Sequence, residues 1–171
     1  MKLNDPIILK GYLKNFKDER GYLSPLSFKD LLDRKELDDM EPCYQLMSFT
    51  KNSGTFRGFH FQKAPSQQIK ILALHQGSIL DIIFPFDDLQ NEKIQRFNLF
   101  EGDVLIIPEN FAHGFYTQSS DVLIQYLTNK EFVPSDYSGF NGTKFIISET
   151  GNEKVLISEK DLLLPEINIL K

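Results

Sequence analysis

The chain contains no tryptophan and only one cysteine, Cys43. One cysteine excludes an intrachain disulfide, and Cys43 is expected to be a small buried hydrophobe. No run of about 18 apolar residues occurs, so no membrane-spanning helix is expected. Residues 1–21 lack the apolar centre of a secretory signal, and a reducing cytoplasm is the expected location. An excess of charge is missing too. The 19 basic and 24 acidic residues leave a net charge of -5. That mild acidity gives no reason to expect nucleic acid or a membrane surface as a partner, although a few local cations could hold a small phosphorylated ligand. Internal repeats and low-complexity tracts are absent. What is present suits one globular domain over residues 1–171: a hydrophobic share of 41%, enough to fill a core. Without tryptophan, the 15 phenylalanines and the isoleucines must fill most of it.

Near the start, Ser27 is an N-cap candidate, and Phe28, Leu31 and Leu32 have helical spacing up to about Leu37. After Pro42 the pattern changes to short apolar or alternating runs. Strands are expected over 44–50, 55–62, 68–74, 78–84, 94–100, 103–107, 114–118, 122–129 and 144–147. Turn residues separate them, among them Asn52-Ser53-Gly54, Gln76-Gly77, Glu101-Gly102-Asp103 and Asn141-Gly142. Many short strands at such spacing indicate an antiparallel sandwich or barrel. A short helical turn is expected near 159–163.

The strongest local pattern is Gly102-Asp-Val-Leu-Ile-Ile-Pro108-Glu-Asn-Phe-Ala-His113. A turn glycine, a strand, a strand-ending proline and a tight loop lead to a histidine entering the next strand. This resembles the second sequence motif of the cupin superfamily, and implies an all-β, jelly-roll antiparallel barrel with His60 and His113 brought together at its mouth. Many cupins hold a metal through His-x-His, a glutamate and a further histidine. Here the first motif reads His60-Phe61-Gln62, followed by Gln67-Gln68 and Lys70. Neutral amides are poor substitutes for charged ligands, and a lysine repels a divalent cation, so neither metal nor cofactor is expected. The remaining histidine, His75, lies beside the Gln76-Gly77 turn and reads as a surface residue.

The chain also resembles the dTDP-4-dehydrorhamnose 3,5-epimerase family. The blocks match in order: Asp18-Glu19-Arg20-Gly21-Tyr22, Gln45, Arg57-Gly58-Phe59-His60-Phe61-Gln62, Lys70, Gly77 with Asp81, residues 107–115, Tyr126, and Ser158-Glu159-Lys160-Asp161 ahead of Pro165. The resemblance implies a role at each position. His60 matches the general base and Asp161 the carboxylate that orients it. Tyr126 matches the acid that returns a proton to the opposite face. Lys70 matches the cation near the C4 oxygen of the sugar. His113 and Asp81 match a polar pair lining the pocket, where Gln62 also faces the substrate. Arg57, Gln45 and Lys160 match groups that hold the nucleotide diphosphate and the nearby sugar. Arg20 matches an arginine that reaches the ligand across a homodimer with an exchanged N-terminal strand. Departures lie around the sugar and nucleotide. Pro25 stands where the family often has an acid, and the stretch after Tyr126 reads Asn129-Lys130-Glu131-Phe132. Gly139-Phe140-Asn141-Gly142 occupies the region of a Trp-Asn-Asp block.

Elementary chemistry agrees with these roles. A C–H next to a ketone becomes acidic only when the enolate oxygen is stabilised, which a lysine cation in a dry pocket can do. A histidine takes a proton near neutral pH, and a buried aspartate fixes its tautomer. The expected function is an isomerase, a sugar-nucleotide epimerase acting at C3, C5 or both. Two other readings compete: an isomerase moving the ketone between C3 and C4, and a catalytically silent sugar-nucleotide-binding cupin. The residues leave the nucleotide and the sugar open.

Overall fold

Val104, Leu105, Ile106 and Ile107 are all fully buried. A strand can bury consecutive side chains only when both of its faces are covered. Leu105 and Ile107 face the space between two sheets, while Val104 and Ile106 pack under an N-terminal segment that supplies Leu3, Leu13, Leu31 and Leu37. A computed structural model describes residues 3–25, 27–38, 40–90 and 93–168. Its strands are β1 (Ile7–Leu9), β2 (Phe16–Asp18), β3 (Gly21–Leu23), β4 (Tyr44–Thr50), β5 (Phe56–Gln62), β6 (Lys70–Gln76), β7 (Ser78–Pro85), β8 (Gln95–Phe100), β9 (Val104–Ile107), β10 (Phe111–Thr117), β11 (Val122–Thr128) and β12 (Tyr137–Gly139). The helices are α1 (Lys29–Leu32), α2 (Thr143–Thr150) and α3 (Glu159–Leu162).

Two five-stranded antiparallel sheets face each other, in the orders β1-β9-β6-β11-β4 and β12-β5-β10-β7-β8. This is the all-β, jelly-roll-like architecture expected. Among the described residues no ladder joins the two sheets into one closed barrel. The inner faces meet in a core containing Leu72, Leu74, Ile79, Ile83, Phe115 and Ile124. The outer face of the second sheet is covered by α2 and the C-terminal segment, through Phe56, Phe59, Phe84 and Ile146. No helix among the described residues is long and apolar enough to cross a membrane.

One irregularity sets the geometry of the site. Between β10 and β5, His113 pairs with His60 and Phe115 pairs with Arg57. Two residues, Gly58 and Phe59, therefore oppose the single Gly114. Such a bulge flips the alternation, so Arg57 shares the inner face with His60 instead of pointing away. Gly58 has φ +138°, and a Cβ there would sit 2.5 Å from the Gly114 Cα, so only glycine fits this close approach.

Several expectations need correction. The run 144–147 lies inside α2 rather than in a strand. A short apolar run has no period of its own, and burial of Ile146 with a left-handed Gly151 stop selects the helix. The early helix is a single turn capped by Phe28 without a side-chain bond, so Ser27 is not its cap, and 35–37 form a separate 3₁₀ turn. Cys43 is exposed rather than buried, just before the edge strand β4. Strands β1, β2, β3 and β12, of three residues each, are too short to show a pattern of their own.

Candidate active site

A cavity of about 470 Å³ opens between the sheets, lined by residues of both. From the second sheet, β5 directs Arg57, His60 and Gln62 into it, and β10 directs His113. From the first sheet, β6 supplies Lys70 and β11 supplies Tyr126. Lys70 is the first residue of its strand and alternates with Ile71, so it shares the inner face with Leu72.

Asp161 arrives from α3. Ser158 caps that short helix, its hydroxyl accepting from the Asp161 N–H at 3.1 Å. The buried Asp161 carboxylate is 2.7 Å from His60 Nε2. Burial alone would raise the Asp161 pKa. The His60 hydrogen bond and charge, the Ser158 contact and the Lys160 charge outweigh it, so the carboxyl lies below its ordinary range. With Nε2 held by Asp161, the other ring nitrogen of His60 is the one free to exchange a proton. A second pair lies deeper, where His113 Nε2 stands 2.7 Å from Asp81 Oδ2. Asp81 is completely buried, and among the described residues its Oδ1 has no hydrogen-bond partner.

The Lys70 ammonium lies 3.3 Å from the His60 carbonyl oxygen. Burial pushes its pKa down to about 8, with the Asp81 charge opposing that shift. Tyr126 is buried, with its ring edge-on to His113 at 6.0 Å. Burial first, and the Asp81 charge second, push its hydroxyl well above the ordinary phenol pKa, with Arg57 pulling the other way. The phenol therefore keeps its proton at neutral pH.

Not every expected site residue reaches the cavity. Gln62 lines it, but its amide is taken up by main-chain partners at Ser66, Glu131 and Val133. The amide that the expected substrate contact would use is thus engaged within the chain. Lys160 sits at the rim with its ammonium 4.1 Å from the Tyr137 ring centre. Gln45 lies on the opposite face of β4 from the cavity-lining Leu46 and Ser48, where it accepts from Gln125. Arg20 sits in the β2–β3 hairpin, paired with Asp18 at 2.5 Å. Neither Gln45 nor Arg20 faces the cavity of its own chain. His75 is half-buried beside Gln125 on the outer face of the sheet. Tyr137 and Phe132 line the cavity without having been singled out by sequence reasoning. The turn-forming Ser135-Asp136 before Tyr-Ser-Gly was the available signal for a short strand carrying Tyr137. Among the described residues no group of three or more His, Cys, Asp or Glu could hold a metal ion.

The family model for dTDP-4-dehydrorhamnose 3,5-epimerase matches residues 1–168. The chain belongs to that family. A dTDP-4-dehydrorhamnose 3,5-epimerase of Sinorhizobium fredii is 30% identical over 120 residues, covering 66% of this chain and 60% of that protein. The match thus spans less than two thirds of the Sinorhizobium protein. Its namesake from Shigella flexneri is 28% identical over 170 residues, 95% of this chain and 92% of that one. The crystal structure of the Bacillus anthracis epimerase, with TDP and PPi bound, superposes with a TM-score of 0.70 at 26% identity, over 96% of this chain and 95% of that one. Epimerases of this family are isomerases, and this chain shares the fold of the Bacillus anthracis member.

Proposed function

We propose that this chain inverts C3, C5 or both of a nucleotide-linked 4-keto-6-deoxy sugar by moving protons next to the ketone. One observation carries the reading. His60, paired with Asp161 of α3, and Tyr126 come from opposite sheets across the cavity, with Lys70 also lining it. A sugar ring between the sheets presents one face to the histidine and the other to the phenol. His60 removes the proton and the Asp161 carboxylate supports the imidazolium. The Lys70 ammonium neutralises the developing enolate oxygen, and the Tyr126 hydroxyl delivers a proton from the far side. His113, held by Asp81, lines the deep end. Arg57 at the mouth and Lys160 at the rim suit the diphosphate. The bound TDP and PPi of the Bacillus anthracis enzyme support a nucleotide-linked substrate.

Solvent deuterium exchange followed by NMR, over a panel of nucleotide-linked 4-keto sugars, tests this directly. Deuterium should enter C3, C5 or both, with net inversion and with unchanged rates after chelation by EDTA. A metal-dependent rate, or a panel without exchange, would overturn the proposal. A cytoplasmic setting belongs to the same reading, since an exposed unpaired thiol suits a reducing compartment.

The proposal includes a homodimer. Strand β4 is an unpaired edge carrying Met47 and Phe49, 57% and 55% exposed. Among the described residues the β2–β3 hairpin pairs with neither main sheet, and it exposes Phe16 at 63% and Leu23 at 71%. An open edge and an unattached apolar hairpin are each a liability that pairing with a second copy removes. Such an exchange would carry Arg20 to the partner's cavity, and Gln45, on the far face of β4, would join it. Sedimentation at micromolar concentration should give a dimer, and a monomer there refutes the exchange.

A further inference from the structure

We infer that Gln62 and Gln68 are positioning residues for substrate recognition, their two amides clamping the 129–137 segment that carries Phe132 and Tyr137 into the cavity. The inference rests on the proposed reading of the cavity as a sugar-nucleotide site.

Residues 129–136 link β11 to β12 without helix or strand, so, apart from the turn in which the Asp136 N–H donates to the Val133 carbonyl, their main-chain groups need partners from outside the segment. Two buried glutamines provide them. Gln62, 3% exposed, donates from Nε2 to the Ser66 carbonyl at 2.7 Å and the Glu131 carbonyl at 3.1 Å, and its Oε1 accepts from the Val133 N–H at 2.7 Å. Gln68, 9% exposed, donates from Nε2 to the Lys130 carbonyl at 2.7 Å and the Glu131 carbonyl at 3.2 Å. The far end is tied through Ser66, whose hydroxyl donates to Asp136 Oδ2 at 2.5 Å, next to Tyr137.

Phe132 lies between the two residues whose main chain Gln62 holds, so these bonds set the direction of its ring. Its ring meets Tyr137 edge-on at 5.7 Å, and Tyr137 leans on the His60 ring at 5.4 Å. The pair forms a wall of flat apolar faces suited to a ring of the bound sugar nucleotide, at a set distance from His60. Both N–H groups of each glutamine, and the Gln62 oxygen as well, are spent on the segment and its Ser66 tie, so these groups act through Phe132 and Tyr137.

The test combines steady-state kinetics on an accepted 4-keto sugar nucleotide with hydrogen exchange over 129–137. Gln62→Met keeps the side-chain length and removes every hydrogen bond. It should speed exchange in the segment and raise KM about 10–100-fold, with kcat at saturation within about threefold. Phe132→Ala should raise KM similarly, and the double variant should be little worse than either single one, because both remove the same wall. Additive KM effects would overturn the inference. So would faster exchange with an unchanged KM, or a fall in kcat alone. Should Gln62→Met fail to fold, Gln68→Met carries the same expectations with a smaller rise in KM. Wild-type protein that exchanges deuterium with no sugar of the panel would overturn the functional reading instead, before any variant is made.

Discussion

His60→Ala should abolish both deuterium uptake and inversion, whereas Tyr126→Phe should keep much of the uptake and lose the inversion. The two groups stand on opposite sheets, and Asp161 at 2.7 Å orients only the histidine. With Tyr126 reduced to a phenyl ring, His60 can still form the enolate and return a solvent-derived proton to the face it came from. Without His60, the imidazole that Asp161 orients is gone, and His113 on the neighbouring strand is held by Asp81 instead. General acid–base groups typically contribute about 10²–10⁴-fold, so exchange and inversion in Tyr126→Phe should separate by at least the lower figure. NMR in D2O reads both rates from one sample. Inversion at the wild-type rate in Tyr126→Phe would assign the acid elsewhere. Normal exchange in His60→Ala would remove the histidine from the mechanism. The raised pKa of Tyr126 adds a pH expectation. Its hydroxyl stays protonated through neutral and mildly alkaline pH, so the alkaline fall in rate should not come from this residue.

That fall should come from Lys70. Burial lowers its pKa from 10.5 to about 8, so the ammonium proposed to face the enolate oxygen is lost as pH rises through that value. The rate of inversion should fall with it, and Lys70→Met should lose about 10²–10³-fold at pH 7, as expected on removing one enolate-stabilising group. Stability moves the other way. Between about 8 and 10.5 the unfolded chain binds a proton at Lys70 that the folded chain does not, so stability rises with pH across that window. Below it, the folded state carries the full penalty of a desolvated ammonium. Lys70→Met should therefore stabilise the protein at pH 7 by about 1–3 kcal/mol, the lower part of that range allowing for water in the cavity. Thermal melts and rate profiles over pH 6–10 check both signs. A destabilised Lys70→Met would mean that the cation contributes to the fold rather than opposing it.

Much of this architecture is readable in the chain. The expected run 44–50 coincides with β4, and most other strands fall within a few residues of their expected bounds. Alternation works where one face is core and the other is not, as at Lys70, Ile71 and Leu72. It fails where the ladder is irregular. At Arg57 strict alternation points the side chain away from His60, and only the extra residue opposite Gly114 turns it inward. The 144–147 run fails for another reason. Its three apolar residues fit a strand as well as a helix, and the choice belongs to the outer sheet face on which Ile146 is buried.

Composition and local pattern determined the fold class, and alternation put Lys70 on the same strand face as Leu72, because both depend on short-range periodicity, while His60, Lys70, Tyr126 and Asp161 were singled out as a set by the resemblance of their motifs to one family. What the tertiary structure decided depends on contacts between distant segments. Asp161 meets His60 across 101 positions, and His113 meets Asp81 across 32. The Gln62 amide meets the main chain of Glu131 and Val133, 69 and 71 positions further along the chain. Gln45 faces away from the cavity of its own chain because it alternates with the cavity-lining Leu46 and Ser48 on β4, and Arg20 because it sits in the turn of a hairpin that forms a sheet of its own. No local pattern encodes such pairings. They follow from how two sheets stack and from which main-chain groups are left needing a partner once they have stacked.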